Sequence, residues 1–116
     1  MKIDAETNLV NYRKGIEQLT DHLSDAINGY NRFTGEVFQD GEIDRSHKHL
    51  MALSIGVKEG DEASMTYHLD QCVALDCSDQ QIYEAMLVAA AYGGGSAMSQ
   101  GVTAGLEILK QLRNRS

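Results

Sequence analysis

The chain has 116 residues, of which 42% are hydrophobic and 23% are charged. This length and composition suit one small domain with its own core and exclude a disordered tail. With 17 acidic against 10 basic residues the net charge is -7, so a nucleic-acid backbone or an anionic membrane surface would repel the chain. It has no proline and 11 glycines, which leaves every segment free to be helical with breaks at defined points. We expect a single all-α domain over residues 1–116 that binds neither nucleic acid nor membrane.

The amino terminus and the cysteines both indicate a reducing compartment. The first residues lack the basic and then apolar run of a signal peptide, and no segment approaches the roughly 18 apolar residues of a membrane span. The two cysteines are Cys72 and Cys77, and free thiols are the rule inside cells. We therefore expect a cytoplasmic protein with two free thiols, of which Cys77 lies in an exposed loop.

The amino-terminal part predicts one amphipathic helix followed by an aromatic segment. Apolar residues recur at steps of three and four from Leu9 to Ile27, which predicts a helix over residues 7–28. Residues 29–41 hold both phenylalanines, Phe33 and Phe38, between glycines. We expect a short helix or turn there, whose aromatic side chains fill the core.

Capping residues predict the next two helices. Asp44 suits the N-cap of a central helix that is apolar nearly all round and therefore buried on most sides. Gly60 suits the cap at its carboxyl end. A further helix is expected over residues 62–75.

The remaining helices follow from a second set of signals. Ser78 and Gln81 have the spacing of a capping box. The helix that they start ends in the glycine run at 93–95, where backbones can approach each other or a ligand closely. A last helix ends with basic residues, as its dipole favours. The sequence thus predicts five or six helices, with a helical-hairpin core inside residues 44–110.

Five short segments follow one another in the second half of the chain: KHLMAL at 48–53, YHL at 67–69, ALD at 74–76, IYEA at 82–85 and AAAYGGGSAM at 89–98. In order and spacing they resemble the carboxymuconolactone decarboxylase-like family, which includes the alkylhydroperoxidase D proteins. The resemblance implies the all-α, AhpD-like fold of that family. It also implies a homo-oligomer, either a trimer or a hexamer.

The redox branch of that family uses a Cys-x-x-Cys pair followed by a histidine, with a glutamate about one helix upstream. Aligned on His68, the cysteine positions fall on Asp61 and Ser64, and the glutamate position falls on His49. Peroxide reduction needs an attacking thiolate and a resolving thiol, which Asp61 and Ser64 do not supply. The remaining thiol candidate is Cys72, four residues after His68 on the same helix face, where a histidine could lower its pKa. Its alternative role is that of a small apolar residue packed in the core.

The other branch of the family removes carbon dioxide from a carboxylated lactone with acid and base groups and no cofactor. The carbanion or enolate left behind must be protonated, and a histidine suits that step. The resemblance makes His68 the proton donor, with His49 as a relay that pairs with it across the hairpin. Their alternative roles are structural: a histidine bound to a backbone carbonyl, and a polar residue at a helix start. The other candidates are Tyr67 and Glu84 for catalysis, and Lys48, Arg45, Gly93, Gly94 and Gly95 for substrate binding.

A metal site is not expected. His47, His49 and His68 are the histidines that could gather an ion. However, side chains two apart on a helix point about 200° apart. His47 and His49 therefore cannot easily reach one ion, and we expect neither metal nor cofactor.

Three functions stay open at this stage. The first is a cofactor-free acid/base enzyme that acts on a small carboxylic or lactone substrate in a pocket at a subunit interface. The second is a thiol-dependent peroxidase that uses Cys72. The third is a non-catalytic oligomer that binds a small ligand or a protein partner.

Overall fold

The structure, a computed structural model, describes residues 2–115, and every regular element in that range is helical. The predicted all-α class is therefore confirmed. None of these helices is long and apolar enough to cross a membrane. In chain order the elements are α1 (Ala5–His22), α2 (Ser24–Val37), α3 (Arg45–Glu59), α4 (Glu62–Ala74), α5 (Asp79–Gly93), α6 (Gly95–Gln100), a π-helical turn (Gly101–Gly105) and α7 (Leu106–Arg113).

The core lies where α3 packs against α4 and α5, with α7 against α4. It is formed by aliphatic and methionine side chains at helical spacing, which bury their apolar surface between these helices. α1 joins this core through its amino-terminal end, where Ala5 is buried. The side chains with no exposed surface include Leu53, Val57, Met65, Leu69, Ile82 and Ile108.

The predicted helix caps are confirmed. The Asp44 side chain accepts a hydrogen bond from the backbone N–H of His47 and starts α3. Gly60 ends α3 with φ of 68°, a left-handed conformation that glycine adopts without steric cost. Ser78 and Gln81 form the full capping box of α5.

The prediction of one long first helix is wrong. α1 ends at His22, Leu23 adopts φ of -139° and ψ of 55°, and α2 starts at Ser24. The apolar spacing continues across this break, so periodicity alone does not show that the chain turns. We call residues 5–37 the α1–α2 arm.

The aromatic side chains of the arm do not fill the core, contrary to the prediction. No residue of α2 is buried, and Tyr30 and Phe33 are 57% and 64% exposed. Phe38, which follows α2, is partly buried and faces the candidate site described below. The reason is that α2 packs against α1 and is separated from the core by an open cleft.

Two smaller predictions about burial are also wrong. The central helix α3 is not buried on most sides, because Met51 and Ile55 are 52% and 64% exposed. Cys77 does not lie in an exposed loop, since only 3% of its surface is accessible. α4 ends between Cys72 and Cys77, and the backbone N–H of Cys77 donates to the carbonyl of Cys72 at 2.9 Å. Both cysteines are free and buried.

The glycine run breaks the chain as predicted. α5 ends at Gly93, Gly94 has φ of 78°, and α6 begins at Gly95. The π-helical turn after α6 has no counterpart in the predicted elements. Gly105 lies in that turn, where a Cβ would come within 3.0 Å of Met86 Cε.

Candidate functional site

Two histidines from neighbouring helices meet at the centre of the candidate site. α3 carries His49 and α4 carries His68, and the Nδ1 atoms of the two rings lie 3.0 Å apart. At this distance one Nδ1 donates a hydrogen bond and the other accepts it, so the two rings share one proton between them. If both rings were protonated to imidazolium, their two Nδ1–H groups would point at each other, and neither nitrogen could accept a hydrogen bond. The structure therefore has the predicted pairing of His49 with His68 across the hairpin.

Burial keeps both imidazoles neutral near pH 7. His49 is only 1% exposed, and its burial lowers its pKa to about 4, with smaller contributions from His68 and Arg45. Burial also lowers the pKa of His68, against the opposing attraction of Asp61. A charged ring is disfavoured in such surroundings because water cannot solvate it.

The second nitrogen of His49 has no hydrogen-bond partner. Its Nε2 is buried and unpaired among the described residues, whereas buried polar atoms are paired in the great majority of cases. Because one of the two ring nitrogens of a neutral imidazole is a donor and the other an acceptor, the state of Nε2 follows from the state of the shared proton at Nδ1.

Aromatic rings surround the pair. Phe38 stacks on His49 with ring centroids 4.5 Å apart, and on His68 at 5.4 Å. Tyr67 meets His68 edge to face at 5.0 Å. Tyr12 of α1 lies against Tyr67 at 6.0 Å, and burial raises the pKa of Tyr12. These rings exclude water from one side of the histidine pair.

The site opens into a large cleft between the α1–α2 arm and the helices α3 and α4. The cleft has a volume of about 1110 Å³. Both imidazoles line it, with aromatic side chains from three helices. Cations also line it, among them Arg13 and Arg45. The Arg45 guanidinium donates to Gln71 Oε1 at 3.1 Å and thus stays at the rim.

The other predicted site residues lie away from this cleft. Glu84 is exposed and accepts a hydrogen bond from Gln80. Gly93 packs closely, since a Cβ there would come within 2.9 Å of Ala97 Cβ. Gly94 and Gly95 do not line the cleft. Lys48 does not line it either, because its ammonium donates to two backbone carbonyls.

Cys72 does not have the surroundings of a reactive thiol. It has no exposed surface, and burial, followed by the neighbouring Cys77, raises its pKa to about 12. The prediction that a histidine could lower this pKa is wrong, because desolvation disfavours the thiolate. Cys72 instead packs as a small apolar residue in the core, which was its alternative role. Within residues 2–115 no group of three or more His, Cys, Asp or Glu side chains could hold a metal.

Sequence reasoning missed Tyr12 and Phe38. The spacing assigned Tyr12 to the buried stripe of a long helix, and Phe38 to the core. Both instead face the cleft, because the chain turns at Leu23 and brings α2 back towards the histidines. No local signal in the sequence marks that turn.

The chain is an all-helical protein with a pair of histidines between two adjacent helices. Comparison with known proteins identifies its family. The model of the carboxymuconolactone decarboxylase family matches residues 24–107, so the chain belongs to this family. A search of curated proteins finds no match.

Solved structures of the family share the fold. A carboxymuconolactone decarboxylase family protein from Legionella pneumophila superposes with a TM-score of 0.89 at 17% identity, over 93% of this chain and 96% of that one. A family protein from Thermotoga maritima, for which involvement in an antioxidative response has been suggested, superposes with a TM-score of 0.79 at 25% identity, over 90% and 88% of the two chains. A second crystal structure of that protein gives a TM-score of 0.85 at 24% identity, over 93% and 94%. The AhpD-like fold prediction is confirmed.

Proposed function

We propose that this chain is a cofactor-free acid/base enzyme in which the His49–His68 pair moves a proton on a small carboxylic or lactone substrate. The observation that carries the proposal is the hydrogen bond of 3.0 Å between the two Nδ1 atoms. His68 is partly exposed to the cleft and His49 is buried behind it. This order supports the proposal that His68 meets the substrate and that His49 is its relay.

The proton transfers balance for a decarboxylation. When the carbon–carboxylate bond breaks, carbon dioxide leaves and its electron pair stays on carbon. His68 gives the proton on Nε2 to that carbon, and its Nδ1 takes the shared proton from His49. The partly exposed His68 then takes a proton from water in the cleft at Nε2, and the shared proton returns to Nδ1 of His49, which restores the starting state.

The lining of the cleft suits a small, partly apolar anion. Aromatic rings offer flat contacts to a ring or an unsaturated chain. Arg45 and Arg13 offer cations for a carboxylate. Tyr67, at the edge of His68, could place a hydroxyl near the reacting atoms.

The test is turnover of a panel of small carboxylates and carboxylated lactones in D₂O. Release of carbon dioxide reports decarboxylation, and deuterium incorporated into the product reports proton transfer. We expect His68→Gln to lower the rate by about 10²-fold or more, the usual contribution of a general acid. His49→Gln should also lower it. His22→Gln, on α1 and away from the cleft, is the control. If His68→Gln turns over like the wild type, the proposal fails.

The suggested antioxidative role of the Thermotoga protein keeps a thiol peroxidase as the second candidate. It is tested by peroxide consumption with a dithiol reductant, in the wild type and in Cys72→Ala. The burial of Cys72 leads us to expect no turnover. Turnover that Cys72→Ala abolishes would replace the acid/base proposal. If neither reaction is detected and a ligand binds saturably in the cleft, the result favours the third candidate, a non-catalytic binding protein.

We also propose that the chain forms a homo-oligomer, a trimer or a hexamer, in the cytoplasm. Several large apolar side chains are at least half exposed, among them Ile55, Leu87 and Val88, and a second copy would remove them from water. The two free thiols are compatible with a reducing compartment. Sedimentation velocity over a range of concentrations gives the mass, and a monomer throughout would refute the oligomer.

A further inference from the structure

The side chain of Lys48 fastens the segment that carries Phe38. Its Nζ donates to the carbonyl oxygens of Val37 and Gln39, both at 2.8 Å. These two residues are the chain neighbours of Phe38, so one ammonium holds the backbone on both sides of the ring. Lys48 directly precedes His49 on α3. The anchor therefore shares one helix with an imidazole that Phe38 covers.

The backbone N–H of Phe38 donates to the carbonyl of Thr34 at 3.1 Å and ties Phe38 to the end of α2, which is itself weakly anchored. No residue of α2 is buried, and segments with few buried contacts open at low free-energy cost. A second tie is the backbone N–H of Arg45, which donates to Asp40 Oδ1 at 2.7 Å, two residues beyond Phe38. Hydrogen bonds from a charged donor are about twice as strong as neutral ones. A charged acceptor such as the Asp40 carboxylate has the same effect, so the two ties differ in number and place. Lys48 makes two such bonds directly beside Phe38, and Asp40 makes one, two residues further along.

We infer that Lys48 is a positioning residue of the histidine pair: by binding both neighbours of Phe38, it keeps that ring stacked on His49 and His68 and keeps water away from them. The inference rests on the proposed function, because it concerns the same site. Its consequences can nevertheless be measured without a substrate. Lys48 thereby has a role that requires no contact with the cleft.

The test compares Lys48→Met, which keeps the apolar stem and loses the ammonium, with Phe38→Ala. The readouts are the pKa of His49 from an NMR titration and the rate at which diethyl pyrocarbonate modifies His49, read by mass spectrometry. We expect both variants to raise the pKa of His49 and to speed its modification. For Lys48→Met the rate should rise about tenfold or more, the population change expected when a charge-assisted hydrogen bond is lost, and Phe38→Ala, which removes the ring itself, should raise it at least as much. Lys48→Arg should stay near the wild type, because its donors can reach the same carbonyls.

The control is Lys14→Met, which removes an exposed lysine of α1 that does not line the cleft. It should leave both readouts unchanged. Removal of a positive charge could by itself raise the pKa of a nearby histidine. The double variant Phe38→Ala/Lys48→Met separates this cause, since a role through Phe38 predicts no further change once the ring is gone. The charged neighbours Arg45 and Asp61 stay the same in every variant.

Two results would overturn the inference: unchanged modification and pKa in Lys48→Met, or an undiminished effect of that substitution in the Phe38→Ala background. Circular dichroism checks that each variant is folded, and Lys48→Gln replaces Lys48→Met if the latter is not. Failure of the proposed function would look different. No variant would turn over any substrate, while the differences in histidine modification would persist.

Discussion

The burial of His49 makes the stability of this protein depend on pH between neutrality and pH 4. The folded pKa of His49 is about 4, against an ordinary value of 6.5. As the pH falls through 6.5, the unfolded chain takes up a proton that the folded chain does not, so the free energy of unfolding falls. The loss is complete near the folded pKa. A difference of about 2.5 units at about 1.4 kcal/mol per unit gives a loss of about 3 kcal/mol.

His49→Gln tests this reasoning, because glutamine does not titrate and can still hydrogen-bond to His68. The assay is urea unfolding followed by circular dichroism at several pH values, with the protomer concentration fixed because association shifts apparent stability. Between pH 7.5 and 4, the wild type should lose about 3 kcal/mol more than His49→Gln. The N-cap carboxylates Asp4 and Asp44, whose pKa values are lowered by hydrogen bonds from backbone N–H groups, contribute equally to both proteins.

His22→Gln, at the end of α1, should keep the pH dependence of the wild type. Equal losses in the wild type and in His49→Gln would refute the reasoning, since they would mean that His49 takes up its proton as readily in the folded chain as in the unfolded one. A partial difference, below about 1 kcal/mol, would mean that water reaches the imidazole.

Three further outcomes follow from burial and capping. At pH 8, iodoacetamide should alkylate Cys72 about a thousandfold more slowly in the folded chain than in urea, because a pKa of about 12 against 9.0 leaves that much less thiolate; equal rates would contradict its burial. Leu53 has no exposed surface, so Leu53→Ala should lower the free energy of unfolding in urea by about 2–5 kcal/mol. Leu87 is 55% exposed, so Leu87→Ala should lower it far less when the protein is dilute and monomeric. Ser78→Ala should cost about 1 kcal/mol through loss of the α5 capping box, and no change in the unfolding midpoint would speak against that contribution.

The parts of the fold that local chemistry determines could be predicted from the sequence. Asp44, Gly60 and the Ser78–Gln81 pair each act within one helical turn, so their identity and spacing suffice. The break at Leu23 differs because it has neither a glycine nor a proline to mark it. The apolar stripe also continues into α2, where its residues face a cleft instead of a core. Periodicity reports which side of a helix is apolar, and it does not report what that side meets.

The candidate site likewise combines residues that the sequence predicts with residues that only long-range packing brings there. The family resemblance predicts His68 and His49, with Tyr67 beside His68. The structure brings them together because they lie on two adjacent helices joined by a short connection. Glu84 is a candidate because a carboxyl group can act as an acid, and the glycines because their backbone can approach a ligand closely. The fold places all of them away from the cleft. Phe38 and Tyr12 reach the site from the α1–α2 arm, and their positions depend on a long-range approach that is fixed by single contacts such as those of Lys48.

The histidine at position 49 changes what the pair can do. In the redox branch that the sequence resembles, a glutamate occupies this position, and a carboxylate beside a histidine raises the pKa of that histidine by stabilising its cation. A second imidazole has the opposite effect on His49, where it adds to the larger effect of burial in lowering the pKa. The pKa of His68 is lowered by burial. A Glu–His pair suits the removal of a proton from a thiol, whereas two neutral rings that share one proton suit its transfer to and from a bound substrate. Asp61 and Ser64 stand where the redox branch has its cysteines, and His49 stands where that branch has its glutamate. All three differences fit the proposed proton transfer better than they fit thiol chemistry.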